Sequence, residues 1–267
     1  MNDSAQILEP VRLVIWDLDE TFWRGTLSEG GIEAYIPAHH EIVVELARRG
    51  IMSSICSRND FEAVRKVLQD KGLWNYFVFP SIDWGPKGAR IARLIEAMQL
   101  RPESVLFLDD NPTNRAEAEA FAPGLRSAGD ERIATMLFDP LLRGKDDARL
   151  TRLAQYKLLE QRKADEAAAP GGDNVAFLRS CDIRVSIDTD IERHLERAVE
   201  LIQRTNQLNF TKLRLSEDPA EARRQLTEHI SQYFVQAGLV RVRDRYGDYG
   251  FCGFFSKHND NNDIRGR

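Results

Sequence analysis

The 267-residue sequence contains few of the residues that build disulfide or zinc frameworks, with three cysteines and five histidines. Cys56, Cys181 and Cys252 are widely spaced and odd in number. They form neither a disulfide pattern nor a zinc-binding spacing. This usage is typical of a reducing compartment, and we expect a cytoplasmic protein.

Long apolar runs and an excess of basic charge are also missing. No stretch approaches the roughly 20 apolar residues of a membrane-spanning helix. The N-terminal MNDSAQILEP has neither the basic nor the apolar zone of a signal peptide. The net charge of -5 argues against a nucleic-acid surface. We therefore expect no membrane and no nucleic-acid partner.

The first half of the chain instead alternates apolar segments with helical patterns. Four strands are predicted, at 11–16, 51–56, 76–80 and 104–110. Helices are predicted at 39–50, 59–72, 87–100 and 114–122. Strands that alternate with helices predict a parallel sheet covered on both faces, which is an α/β fold.

The pattern changes at a charged helical stretch over residues 146–172, which ends on Pro170, Gly171 and Gly172. It predicts a connection between a domain at 1–145 and a smaller α+β domain at 173–267. The elements predicted in this second domain are strands at 182–187, 239–244 and 249–255, and helices near 190–205 and 219–236. Because the polar tail after the last strand adds no core, we expect this domain to be partial.

Polar side chains follow each of the predicted parallel strands, where ligands bind in open sheets of this kind. Asp17 and Asp19 follow the first strand. The other residues expected at this edge are Cys56, Ser57, Arg58, Asn59, Lys87, Asp109 and Asp110.

This ordered set is suited to phosphoryl chemistry. Aspartates from two strand ends can supply the oxygen ligands that Mg²⁺ prefers. An ionised Asp can attack a phosphoryl group, and a second one can move the proton. Ser57 and Lys87 can bind the phosphoryl oxygens. Singly, each motif is weak, because Asp17 and Asp19 also fit a turn and Asp109–Asp110 also fit a helix cap.

Taken together, these motifs resemble the haloacid dehalogenase (HAD) superfamily over about residues 11–140. The resemblance implies a Rossmann-type three-layer sheet, Asp17 as nucleophile and Asp19 as general acid/base. It implies Thr21, Ser57, Arg58, Asn59 and Lys87 as substrate- and phosphate-binding residues. Asp17, Asp19, Asp109 and Asp110 are the implied Mg²⁺ ligands, and the sequence leaves open which of Asp109 and Asp110 binds the ion directly.

The segments ICSRND, DWGPKG, FLDDNPTNRAE, RTNQLNFTKLRLSE and DRYGDYGFCGFF are similar to the FkbH-like group, subfamily IIIC of that superfamily. This resemblance implies dephosphorylation of 1,3-bisphosphoglycerate, a phosphorylated three-carbon substrate. It also implies loading of the glyceryl unit onto an acyl carrier protein for polyketide biosynthesis. Cys56 is the implied acyl acceptor, and the second domain resembles a GNAT-type acyltransferase fold.

The sequence departs from that group at several positions. Glu20 stands where many relatives have Asn, and Arg58 stands where Lys is commoner. No R-x-x-G-x-G-type pyrophosphate loop is present in the sequence. Two alternatives stay open: a stand-alone phosphatase of a small phosphorylated metabolite, in which Cys56 is structural, and a docking module for a carrier protein.

Overall fold

The computed structural model describes residues 9–168, 174–204 and 214–258. The chain divides into two compact units, Met1–Ala164 and Asp165–Arg267. Each unit has its own hydrophobic core. The domain boundaries expected at residues 145 and 172 stay a prediction.

The first unit is built on a five-stranded parallel sheet. Its strands are β1 (Leu13–Trp16), β4 (Met52–Ser57), β5 (Ser81–Ile82), β6 (Val105–Leu108) and β7 (Arg126–Ala128). They lie in the order β5-β4-β1-β6-β7. The first strand is therefore central, and Leu13 pairs with Met52 on one side and with Val105 on the other.

Apolar side chains of β1 alternate between two cores because successive strand residues face opposite sides of a sheet. Val14 and Trp16 belong to one core, and Leu13 and Ile15 to the other. The helices α1 (Pro37–Arg48) and α2 (Phe61–Asp70) pack on the Trp16 side. The helices α3 (Lys87–Ala97) and α4 (Pro112–Phe121) pack on the other side. The predicted three-layer α/β fold of Rossmann type is thus confirmed.

Local features explain where these helices begin. The Asp60 side chain accepts a hydrogen bond from the Ala63 amide and caps α2, and the Asn111 side chain accepts one from Thr113 and caps α4. Between β1 and α1 lies only a small hairpin of β2 (Trp23–Arg24) and β3 (Ala34–Tyr35).

The predicted strand at 76–80 is wrong. Trp74–Tyr76 form a 3₁₀ helix, and Phe77 makes a single bridge to Ser53. Phe79 has a φ of 50°, and Pro80 has no amide hydrogen, so an extended ladder cannot run through them. Regular pairing starts only at Ser81.

The second unit carries an antiparallel sheet in the order β10-β9-β8. Its strands are β8 (Arg184–Asp188), β9 (Val235–Asp244) and β10 (Gly247–His258). Its helices are α6 (Asn174–Ser180), α7 (Leu195–Arg204) and α8 (Pro219–Ile230). The helix α5 (Thr151–Ala167) lies mostly in the first unit and crosses the boundary after Ala164. The predicted helix near 219–236 is too long, since β9 begins at Val235.

One core joins α7 and α8 to the sheet through Val199, Leu226 and Leu239. The predicted α+β content of this unit is therefore present. Its likeness to a GNAT fold stays a prediction, and residues 205–213 of the segment that suggested it lie outside the described residues. Throughout the described part of the chain, helices are too short or too polar to cross a membrane.

Candidate phosphoryl-transfer site

The candidate site lies beyond the carboxyl ends of β1 and β6. Counted in chain order, the five parallel strands are arranged 3-2-1-4-5 across the sheet. The second and third strands therefore lie on one side of β1, and the fourth and fifth lie on the other. A crevice forms where the strand order reverses in this way, and ligands bind there in open α/β sheets. Asp17 and Asp109 directly follow the two strands on either side of this crevice.

A buried ion-pair network occupies the bottom of the crevice. The Lys87 Nζ lies 2.8 Å from Asp17 Oδ1 and 2.7 Å from Asp109 Oδ2. Asp17, Lys87 and Asp109 are 6%, 2% and 0% exposed. Their interaction is therefore little screened by water.

Burial and charge act against each other in this network. Burial raises the pKa of Asp17 to about 6, although the positive charge of Lys87 lowers it. Burial alone would lower the pKa of Lys87, but attraction to Asp17 and Asp109 outweighs it, so that pKa lies above its ordinary value. The lysine thus stays charged between the two acids.

Further hydrogen bonds orient Asp109. Its Oδ1 accepts from the Asn111 amide at 2.9 Å, and the Asn114 Nδ2 lies 3.1 Å from each carboxylate oxygen. Arg115 donates to the Asp109 carbonyl at 2.6 Å. The sequence analysis missed Asn114 and Arg115. The sequence feature that could have revealed them is their position in the first turns of the helix that follows Asp109 and Asp110.

Three acids of this edge have the geometry of a metal centre. Oxygen atoms of Asp17, Asp109 and Asp110 all lie within 4.8 Å of one another. The Lys87 ammonium pairs with two of these three carboxylates, and hard oxygen donors of this kind fit Mg²⁺. The fit is chemical as well as geometric, because a divalent cation would balance the negative charge of the three carboxylates that Lys87 does not neutralise.

Among the residues that the structure describes, Asp19, the fourth expected ligand, is not part of this cluster. Its Oδ1 accepts from Trp23 Nε1 at 2.8 Å and from the Leu27 amide at 3.2 Å, and its Oδ2 accepts from Asn59 Nδ2 at 3.0 Å. These donors fix both oxygens of the carboxylate. The Trp23 indole therefore orients the acid as well as packing in the core, a role that the sequence did not reveal.

The other predicted substrate-binding residues have distinct surroundings. Ser57 is buried at the end of β4, and Asn59 donates to its Oγ at 3.2 Å. Thr21 accepts from the Asp110 amide at 3.0 Å and donates to Asp110 Oδ1 at 3.3 Å, so it holds Asp110 of the acidic cluster in position. Arg58 is exposed.

The sequence suggested that Cys56 lies at the rim of the site, but the structure places it elsewhere. It lies inside β4, pairs with Ser81 and is fully buried among apolar residues of the core that α3 and α4 cover. Burial raises the pKa of its thiol to about 12, although Arg90 and Lys87 lower it. The physical reason for the error is that β4 extends to Ser57, so Cys56 is an inner residue of the strand.

Arg90 ties the strand ends of this edge together. Its guanidinium donates to the carbonyl oxygens of Ser57, Asp83 and Gly85 at 3.0, 2.8 and 3.2 Å. It also bonds the carbonyl and hydroxyl of Ser81. A side chain only 4% exposed thus fixes the segment that leads to Lys87.

No family model matches the chain, and no curated protein matches it. Several of the solved structures that resemble it are described as phosphatases or hydrolases, and others have no described activity. One is the N-terminal part of a Bacteroides fragilis protein, containing a phosphatase domain complexed with Mg, with 22% identity and a TM-score of 0.44. That alignment covers 52% of this chain and 42% of the other, so this chain spans less than half of that relative.

Two further matches cover most of the other chain. A cobalt-bound deoxy-D-mannose-octulosonate 8-phosphate phosphatase from Haemophilus influenzae has 16% identity and a TM-score of 0.37, over 64% of this chain and 98% of that one. A putative HAD superfamily (subfamily III A) hydrolase from Legionella pneumophila has 15% identity and a TM-score of 0.38, over 55% and 90%.

Proposed function

We propose that this protein is a Mg²⁺-dependent phosphohydrolase of the HAD type, acting on a small phosphorylated metabolite. The observation that carries the proposal is the Lys87 ammonium held between Asp17 and Asp109 at the point where the strand order reverses. A purely structural ion pair would not need two buried carboxylates and a third one beside them.

Asp17, Asp109 and Asp110 would hold the metal ion, which supplies positive charge for the phosphoryl oxygens. The Asp17 carboxylate attacks phosphorus, an acyl-phosphate bond forms, and the bond from phosphorus to the leaving oxygen breaks. Asp19 gives its proton to that oxygen. Water then attacks the same phosphorus, Asp19 takes its proton, and the bond to Asp17 breaks.

Ser57 and Lys87 stabilise the negative charge that spreads over the phosphoryl oxygens during both steps. Ser57 presents a hydroxyl whose position Asn59 fixes, and Lys87 presents a charge whose position two carboxylates fix. Preorganised groups of this kind lower a barrier because they need not reorient during the reaction.

The test is phosphate release from a panel of phosphate monoesters with Mg²⁺ or with EDTA. Wild-type protein should release phosphate only with Mg²⁺, and Asp17→Asn should abolish release. Asp70→Asn, at the exposed end of α2, is the matched control and should keep full activity. Release that survives Asp17→Asn would refute the assignment of the nucleophile, and no release from any ester would favour the docking module.

Glyceryl transfer from 1,3-bisphosphoglycerate to an acyl carrier protein is the finer alternative. It requires the Cys56 thiolate to attack the acyl carbon C1, with the bond from C1 to its phosphate breaking and that phosphate leaving. It also requires hydrolysis of the phosphate ester at C3 through Asp17, which releases a second phosphate and leaves a glyceryl thioester. Cys56 adjoins Ser57 in β4, which supports a place near the phosphoryl site. Its burial and its raised pKa oppose a free thiolate in this conformation.

Intact mass after incubation with Mg²⁺ and 1,3-bisphosphoglycerate separates the two functions. A glyceryl adduct that Cys56→Ala removes would establish the transferase. Phosphate release without an adduct, unchanged in Cys56→Ala, would leave the phosphatase.

A further inference from the structure

Trp84 is the exposed member of the four tryptophans of the chain. Trp16 and Trp23 are fully buried and Trp74 is half-buried, whereas Trp84 is 62% exposed. It lies in the short segment between β5 and α3, beyond the carboxyl end of a parallel strand. Ligands of such sheets bind at that edge.

Both ends of this segment are anchored to residues of the candidate site. The amide of Asp83 donates to the Ser57 carbonyl at 3.3 Å, one residue before Trp84. Three residues after Trp84, the Lys87 ammonium bonds Asp17 and Asp109. Because three residues span at most about 10–11 Å, the Trp84 backbone lies within that distance of the Lys87 backbone, at the same edge of the sheet as the candidate site.

The segment between these anchors is also fixed internally. Asp83 Oδ1 accepts from the Gly85 amide at 2.7 Å, and Arg90 bonds the carbonyl oxygens of both residues. The backbone on either side of Trp84 is therefore held in place while its indole stays open to solvent. A rigid aromatic side chain binds with little loss of conformational entropy.

We propose that Trp84 determines specificity by stacking on a flat ring of the leaving group, either an aromatic ring or the apolar face of a sugar ring. This inference rests on the proposed phosphohydrolase function and names the substrate class for it. The buried acids and lysine bind the phosphoryl group, which every substrate shares. The exposed indole contacts the part by which substrates differ.

Steady-state kinetics with three esters test the proposal. Trp84→Ala should raise KM about 3–10-fold for phenyl phosphate or glucose 6-phosphate, as stacked aromatic pairs suggest, with kcat changed less than about 2-fold. KM for the acyclic glycerol 3-phosphate should not change. Trp84→Phe should restore most of the loss, which a merely structural role would not predict. An effect confined to one ring identifies that ring as the ligand chemistry.

The matched control is Phe138→Ala. Phe138 is 87% exposed and lies near the opposite, amino-terminal edge of the sheet. Three residues after it, the Leu141 carbonyl accepts a hydrogen bond from the Val11 amide, just before β1 begins. Removing it should change no KM. An equal rise of KM for all three esters in Trp84→Ala, or no rise for either ring substrate, would overturn the proposal.

A binding measurement keeps the proposal testable without turnover. With Mg²⁺, phenylphosphonate should protect the tryptophan fluorescence of the wild-type protein from acrylamide quenching, and methylphosphonate should not. The protection should vanish in Trp84→Phe. If no ester is hydrolysed but this protection is seen, the proposed function fails, and only the stacking of Trp84 on a ring of a bound phosphorylated ligand stands. Protection by neither phosphonate, or equally by both, refutes that role.

Discussion

The Lys87 Nζ lies 2.8 Å from Oδ1 of Asp17, and both side chains are almost completely buried. Asp109 shares the same ammonium at 2.7 Å. The site therefore places two carboxylates around one buried positive charge. Its stability and its metal affinity are linked through that arrangement.

Replacing Lys87 by Met should destabilise the metal-free protein by about 3–5 kcal/mol, because two buried carboxylates lose their counter-charge. Mg²⁺ should recover part of that loss, since the cation binds the same acids. Urea unfolding with EDTA and with Mg²⁺ measures both effects. Lys66→Met, on the exposed side of α2, is the control and should change the free energy of unfolding by less than about 0.5 kcal/mol.

Replacing Asp17 by Asn should instead stabilise the metal-free protein at pH 7.5, by about 1–3 kcal/mol. Burial raises the folded-state pKa of Asp17 from 3.8 to about 6. The stability contributed by Asp17 is therefore fully present below pH 3.8 and is lost as the pH rises through about 6. The advantage of the Asn variant should shrink between pH 6 and pH 4 in EDTA. An advantage that is independent of pH would contradict this origin.

The hydrogen bond from Trp23 to Asp19 can be tested with a pair of identical substitutions. Trp23→Phe removes a donor to a carboxylate, which typically contributes about 1.5–3 kcal/mol, so phosphate release should fall about 10–100-fold. Trp16→Phe removes a bond to the neutral Ser53 hydroxyl and should cost stability but little activity. Equal rates in the two variants would show that Trp23 acts through packing alone.

Alkylation of the native protein should distinguish its three cysteines. Cys252 is exposed and should react with iodoacetamide at pH 8, whereas Cys56 and Cys181 are buried and should not. The pKa of about 12 for Cys56 further suppresses its thiolate. Peptide mass mapping before and after urea should show one and then three modified residues. Native reaction at Cys56 would remove the structural objection to acyl transfer.

The sequence was sufficient to predict the parallel sheet because its strands are continuous apolar runs bounded by capping residues. Leu13–Trp16 and Val105–Leu108 are buried at every position, and the sequence shows this as an unbroken run of apolar residues in each strand. β7 was missed since Arg126–Ala128 is short, half-buried and carries no apolar run. The error at 76–80 arose because an apolar composition does not reveal the positive φ of Phe79.

The site residues that were predicted are those that directly follow strands. Topology brings the ends of neighbouring parallel strands together, so Asp17 and Asp109 could be placed at one edge from the sequence alone. The supporting contacts of Trp23 and Asn114 could not, since each depends on a side-chain direction set by tertiary packing. Cys56 was misplaced because a shift of one residue in a strand end decides between rim and core.

Arg90 holds the backbone of the candidate site through hydrogen bonds that do not involve the side chain at position 84. One guanidinium sets the spacing between the Ser57 backbone and the turn that leads to Lys87, while the indole of Trp84 takes no part in its hydrogen bonds. Arg90 also holds the backbone on either side of Trp84, through the carbonyl oxygens of Asp83 and Gly85, so a change of the side chain at position 84 removes none of these bonds. Position 84 can be varied in a library for new leaving groups while the machinery for phosphate stays in place.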